Sequence, residues 1–174
     1  MSQPVPPPGN PFAEGAAPQP YPMAPAPAPA RANLALGLLA GFGGAIVGAL
    51  VLGGIMRAMA KEDGSYTQLG ILALGVGALV GFALGKVGGA HPVLPFAGVP
   101  IALFGVFAGQ LFGYALMASW WAELDGQSLP VTEILTSHFS DLLTAWKEEL
   151  GAMDLLFFAI AGYEGFVITK KISA

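Results

Sequence analysis

The sequence predicts an all-α fold: an integral membrane bundle of four transmembrane helices, with one amphipathic extramembrane helix and a disordered amino-terminal tail. Three observations predict it. The chain is 55% hydrophobic and only 10% charged, whereas soluble domains carry about a quarter charged residues. Its apolar runs reach the roughly 20 residues that cross ~30 Å of hydrocarbon. Within those runs glycine recurs at every fourth position, at Gly77, Gly81 and Gly85, with echoes at Gly41, Gly44 and Gly48 and at Gly105, Gly109 and Gly113. Residues four apart share a helical face. Each run therefore carries a bare stripe on a helix otherwise covered in Leu, Val, Ile and Phe. In water such a helix is poor, because each glycine costs about 1 kcal/mol against alanine. In lipid the backbone must bond to itself, and small residues let helices approach closely. The nine glycines are thus the expected packing residues.

Residues 1–31 form a separate region that holds 11 of the 15 prolines. Proline lacks the amide donor, so this tail is expected to be extended, solvated and of polyproline II character. Its simplest role is a spacer. Pro4 and Pro7 also give a PxxP spacing, and Asn10, Pro11 and Phe12 form a short ligand tripeptide, so the tail can serve as a docking segment.

The remainder, residues 32–174, is expected to be the membrane domain. Residues 32–56 are free of charge and make the first span. Arg57 follows, and Lys61 to Gly64 form a short polar turn, so the second span, residues 65–86, lies antiparallel to the first. Lys86 closes it. Pro92 and Pro95 read as a connection and Pro100 as a first-turn proline, which sets the third span at residues 100–121. Trp120 and Trp121 then mark the headgroup level.

An amphipathic helix is expected over residues 130–150. Ile134, Leu135, Phe139, Leu142 and Trp146 fall on one face, with Glu133, Asp141 and Glu148 opposite. Interfacial helices usually carry Lys and Arg on the wet face, and this one has Lys147 alone. It either caps the bundle at the membrane surface or offers those five residues to a partner chain. Residues 151–169 form the fourth span, which contains Asp154 and Glu164.

Four spans put both termini on one side. Arg31, Lys86, Lys170 and Lys171 lie there, against Arg57, Lys61 and Lys147 opposite, which places the termini in the cytoplasm. Arg57 and Asp154 then share the outer level, and Lys86 and Glu164 the inner one. An acid within a span costs roughly 2.5–3.5 kcal/mol near the bilayer centre. Two interhelical ion pairs offset part of that. A sharper reading has Glu164, Tyr163 and Gln110 line a polar path for a proton or cation.

Composition also excludes. A net charge of -4 and the lack of a basic patch exclude nucleic acid. No cysteine means no disulfide, thiolate nucleophile or Cys-ligated metal. His91 stands in a connection, and His138 with Asp141 supplies two ligands where a metal site needs more. Neither a Gly-x-Ser-x-Gly nor a His-Glu-x-x-His motif occurs, so no catalytic residue, cofactor site or metal site is expected. No basic segment followed by an apolar one opens the chain, so no cleavable signal peptide is expected.

The segments GLLAG (residues 37–41, continuing to Gly48), LGVGALVG (residues 74–81) and MDLLFFAIAGY (residues 153–163) carry a resemblance. The chain is similar to small bacterial inner-membrane proteins that join a low-complexity or zinc-binding amino-terminal region to four helices. That family has no established activity to carry over. The resemblance implies the four-span fold and the inner membrane as location. The absence of cysteine departs from the zinc-binding members and puts any role of that metal in doubt. The expectation is a non-catalytic scaffold or accessory subunit with lipid and a protein as partners. Glycine stripes that faced outward would add a homo-oligomer. The alternative is a small channel or carrier using Glu164.

Overall fold

The computed structural model describes residues 32–66 and 70–173. The amino-terminal tail expected over residues 1–31 lies outside the described residues. Among those described, the chain is all-helical, with no strand. It comprises α1 (Leu34–Ala58), α2 (Ile71–Gly88), α3 (Leu94–Leu124), α4 (Val131–Ser137), α5 (Phe139–Glu149) and α6 (Ala152–Ser173). Helices α1, α2, α3 and α6 are long and apolar enough to cross a membrane.

Local chemistry sets the boundaries. The Asn33 side chain accepts the Leu36 amide at 3.1 Å and caps α1. In the following turn the Ser65 amide and hydroxyl both donate to Asp63, at 2.9 and 2.6 Å. These bonds, the hydroxyl's first, hold the Asp63 carboxyl below its ordinary range. Helix α2 starts at Ile71, later than expected, because Ser65 and Tyr66 belong to this turn. It ends at Gly89, whose φ of 64° and ψ of -157° suit a residue without Cβ.

Two expectations are corrected. Helix α3 begins at Leu94 rather than at residue 100, with Pro95 in its first turn and Pro100 inside it. Pro95 sits where the missing N–H would be unpaired in any helix, and Pro100 removes one bond from a helix of 31 residues. At 1.5 Å per residue α3 is about 46 Å long, well beyond the hydrocarbon thickness. The single helix expected over residues 130–150 is broken at His138, which takes φ -112° and ψ 24° and separates α4 from α5.

The four long helices form a rhombus. Helices α2 and α3 lie on its short diagonal, and α1 and α6 do not touch among the described residues. Helix α1 packs antiparallel to α2, with Gly41 over Leu84 and Gly48 over Val76, and parallel to α3, with Gly105 over Ala45 and Gly113 over Met56. Gly77, Gly81 and Gly85 all face α6, and Gly98 meets Gly165 where α3 crosses it. All nine stripe glycines therefore lie against a helix of the same chain, and those whose added Cβ would meet nothing are Gly43, Gly54 and Gly75 on these spans. Of the two readings, packing within one protomer and facing outward, these stripes take the first. Outward, the bundle presents Leu39, Ile46, Val51, Phe82, Phe96 and Leu155.

Buried Thr169 reinforces the α2–α6 crossing, because its hydroxyl lies 3.3 Å from the Gly81 carbonyl and also bonds the Gly165 carbonyl. A methyl on Gly77 would strike the Ala161 carbonyl on α6. Gly77→Ala should lower stability by about 1–3 kcal/mol through overpacking. Gly75→Ala, which meets nothing within 4 Å, should change it by less than about 1 kcal/mol. Denaturation in mixed micelles, followed by tryptophan emission, checks the difference.

Candidate functional site

Several polar side chains gather along one face of α3, from its middle to its carboxyl-terminal end. Gln110, Tyr114 and Trp121 stand at i, i+4 and i+11 on α3, a single helical face. Their partners come from α5 and from the turn between α1 and α2. The Trp146 indole of α5 donates to Oε1 of Gln110 at 2.7 Å. The hydroxyl of Tyr66, from the turn after α1, lies 3.1 Å from that of Tyr114, and its ring meets the Tyr114 ring edge-on at 5.9 Å. The same hydroxyl lies 3.3 Å from Oε2 of Glu149 at the end of α5. The Trp121 indole donates to the Lys61 carbonyl at 2.9 Å. Two segments, α5 and the turn after α1, are thus tied to one face of α3.

Packing surrounds these bonds. The Trp146 ring meets Phe107 edge-on at 5.0 Å and Phe158 at 6.3 Å, so its indole N–H reaches buried Gln110 through an apolar collar. Tyr66 is half-buried, and burial, the largest influence, pushes its phenol above the ordinary value of 10.0. The bond to Tyr114 pulls it back, and the charge of Glu149 adds to the rise.

The five residues expected to dock a partner mostly face inward. Ile134 and Leu142 are buried, Leu135 and Trp146 pack against the same core, and Phe139 alone of the five is exposed. Their stripe fits the capping alternative, with α4 and α5 laid on α3. Acidic Glu133, Asp141, Glu148 and Glu149 are all solvent-facing. His138 Nδ1 and Asp141 Oδ2 lie 3.4 Å apart at the break between the two helices.

The expected charge pairs resolve differently. The Arg57 guanidinium lies over the Trp120 ring at 3.8 Å, a cation–π contact. Asp154 accepts the Gly151 amide at 2.9 Å in the first turn of α6, where a carboxylate complements the helix dipole. Lys86 is exposed and makes no ion pair with Glu164 among the described residues. Oε2 of Glu164 is buried without a hydrogen-bond partner.

Gln110, Tyr163 and Glu164 do not converge either. Gln110 lies at the level of Phe157 and Phe158, whereas Glu164 follows these by six or seven residues, about 10 Å along the helix. Tyr163 is exposed.

Tyr66, Tyr114, Trp121 and Glu149 were not anticipated from sequence. The signal was the spacing of Gln110, Tyr114 and Trp121, obscured because an indole near a span end reads equally well as a headgroup anchor. Comparison of the chain with known protein families, curated proteins and solved structures finds no match.

Two outcomes follow from the junction. Trp146→Phe leaves the Gln110 amide buried without its donor and should cost about 1–3 kcal/mol; adding Gln110→Leu should recover part of the loss. A double-mutant cycle read by protease protection of α4 and α5 checks it. Because the folded phenol of Tyr66 titrates above its unfolded value, its contribution is fully present below about pH 10 and is lost as pH rises through the folded pKa. Hydrogen exchange in α5 should therefore quicken in the alkaline range, less steeply in Tyr66→Phe.

Proposed function

We propose that the chain is a non-catalytic multi-pass membrane scaffold or accessory subunit. Four spans anchor it in the lipid bilayer, with both termini in the cytoplasm of a bacterial cell and the α4–α5 cap on the opposite face. Several features support insertion. The outward surface of α1, α2 and α3 is a continuous array of exposed Leu, Ile, Val and Phe, far more apolar than monomeric soluble proteins present to water. The backbone bonds of these segments are met inside each helix, as hydrocarbon demands.

The observation that carries the scaffold reading is the use made of the polar groups. Gln110 and Trp146 are occupied in holding the cap to α3, and Tyr66, Tyr114 and Trp121 in holding the turn after α1 to the same helix, and Gln110 and Glu164 stand at different depths. A conducting path needs polar groups in register along a passage. The crossings here are filled instead by glycine against backbone or against Leu and Val. On this reading the bundle is a closed anchor that presents two recruiting elements: the proline-rich tail on one side, and the acidic outer face of the cap on the other.

Glu164 favours a second reading. A buried carboxyl oxygen without a partner inside an apolar span is a group that can take up a proton, so a small proton or cation carrier is the competitor. Both readings are tested in proteoliposomes. The scaffold reading expects no proton or monovalent-cation flux above empty vesicles, and no change on Glu164→Gln. Flux in the wild type that the substitution removes would establish the carrier. In cells, deletion of residues 1–31 should abolish a cross-linked partner while the truncated chain still inserts; unchanged partners on deletion would remove the tail from the mechanism.

A further inference from the structure

Between α3 and the α4–α5 cap runs an open groove of about 360 Å3. Tyr114, Ala118 and Trp121 form its α3 wall, Leu142 lines the cap side, and His138 and Asp141 stand at its rim. The junction bonds do not fill it. The bond from Trp146 to Gln110 joins the cap wall to α3, and Trp121 on the α3 wall is held by the Lys61 carbonyl.

Size and charge together select an occupant. The volume lies at the lower end of the range of about 300–1,000 Å3 for small-molecule sites. The groove is open along one side and its exposed lining is mostly apolar, which suits an alkyl chain. Its mouth is acidic. The cap carries Glu133, Asp141, Glu148 and Glu149 against Lys147, and the Asp141 side chain at the rim is 79% exposed. One carboxylate oxygen of Asp141 faces His138, which leaves the other for an incoming donor. An anionic head would meet this field unfavourably, and a cationic one favourably.

We propose that the groove is a binding site for a single-chain amphiphile with a cationic head, its alkyl chain lying along α3 between Trp121 and Leu142 and its ammonium at Asp141. The site needs neither the tail nor a protein partner. A negative result here leaves the scaffold reading standing, and a failed partner experiment leaves this one standing.

The test uses the full chain in phosphatidylcholine nanodiscs and two probes of equal length, 12-bromododecylamine and 12-bromododecanoate, at mildly alkaline pH. Bromine quenches indole emission on contact, and Trp121 lines the groove. The amine is expected to quench saturably and at clearly lower concentration than the acid. Asp141→Asn, at an exposed position, should raise the half-saturation for the amine about two- to fivefold, the scale of an exposed charge interaction. Ala118→Phe, which fills the groove, should abolish the saturable component. Linear quenching by both probes, indifferent to Asp141→Asn, would mean partition into the bilayer near the indoles and would overturn the proposal. Saturable quenching with no preference for the amine would equally overturn the cationic specificity. Should Ala118→Phe fail to fold, the comparison of probes and the Asp141→Asn arm decide alone.

Discussion

Where α1 crosses α3, two peptide backbones meet with almost nothing between them. A Cβ on Gly109 would lie 3.0 Å from the Cα of Ala49, and one on Gly53 would lie 2.9 Å from the amide nitrogen of Gly113. The same holds at α2 and α6, where Gly81 and Gly85 face backbone carbonyls of that helix at 3.2 and 3.0 Å. Lipid tails are as apolar as leucine, so in a bilayer nothing resembling the hydrophobic effect draws such helices together. What remains is dispersion over a close contact, helped by weak Cα–H···O contacts, and both need the backbones near. The rest of the architecture depends on that approach. With glycine at the crossings the helices approach closely, so that of the large side chains of α1 Leu52 and Met56 fill the core while Leu39, Ile46 and Val51 face outward.

Along α3 the polar chemistry follows one face. Gln110 takes a bond from Trp146 of the cap, and Tyr114 and Trp121 are tied to the turn after α1. The chain thus has two kinds of stability. The spans are held by contacts that tolerate no added methyl, whereas the cap and the turn are also tied by a few directional bonds whose partners are individually replaceable. One of them, at Tyr66, weakens as its phenol ionises.

Much of this arrangement was legible in the sequence, and the remainder fails for identifiable reasons. The four apolar runs and the glycine period report directly on helices, because both depend only on residues near in the chain. The start of α3 was misplaced because prolines at 92, 95 and 100 look like a connection, although Pro95 in a first turn breaks no bond and a long helix absorbs the one lost at Pro100. The break at His138 left no trace in a hydrophobic pattern that continues across it. Helical periodicity establishes which residues share a face, but not how each helix is rotated against its neighbours. For that reason the stripe from Ile134 to Trp146 read equally as a partner's dock or as the underside of a cap; in the structure Ile134 and Leu142 are buried and Gln110 supplies Trp146 with an acceptor. The same ambiguity explains why Lys86 and Glu164, rightly assigned to one end, do not meet.

The central claim is that these glycines bring the spans into backbone contact within a single chain. The protein has no cysteine, so introduced pairs report without background. A Cβ built on Gly44 lies 3.4 Å from that of Ala83, at the short edge of the separation of about 3.5–4.5 Å that a disulfide spans. Gly43, its neighbour, meets nothing within 4 Å. In native membranes under mild oxidation, the pair Gly44→Cys and Ala83→Cys should close an intramolecular disulfide, read as loss of maleimide labelling with no shift to dimer, while Gly43→Cys with Ala83→Cys stays labelled. Closure of the second pair but not the first, or a dimer band from the first, would contradict the account.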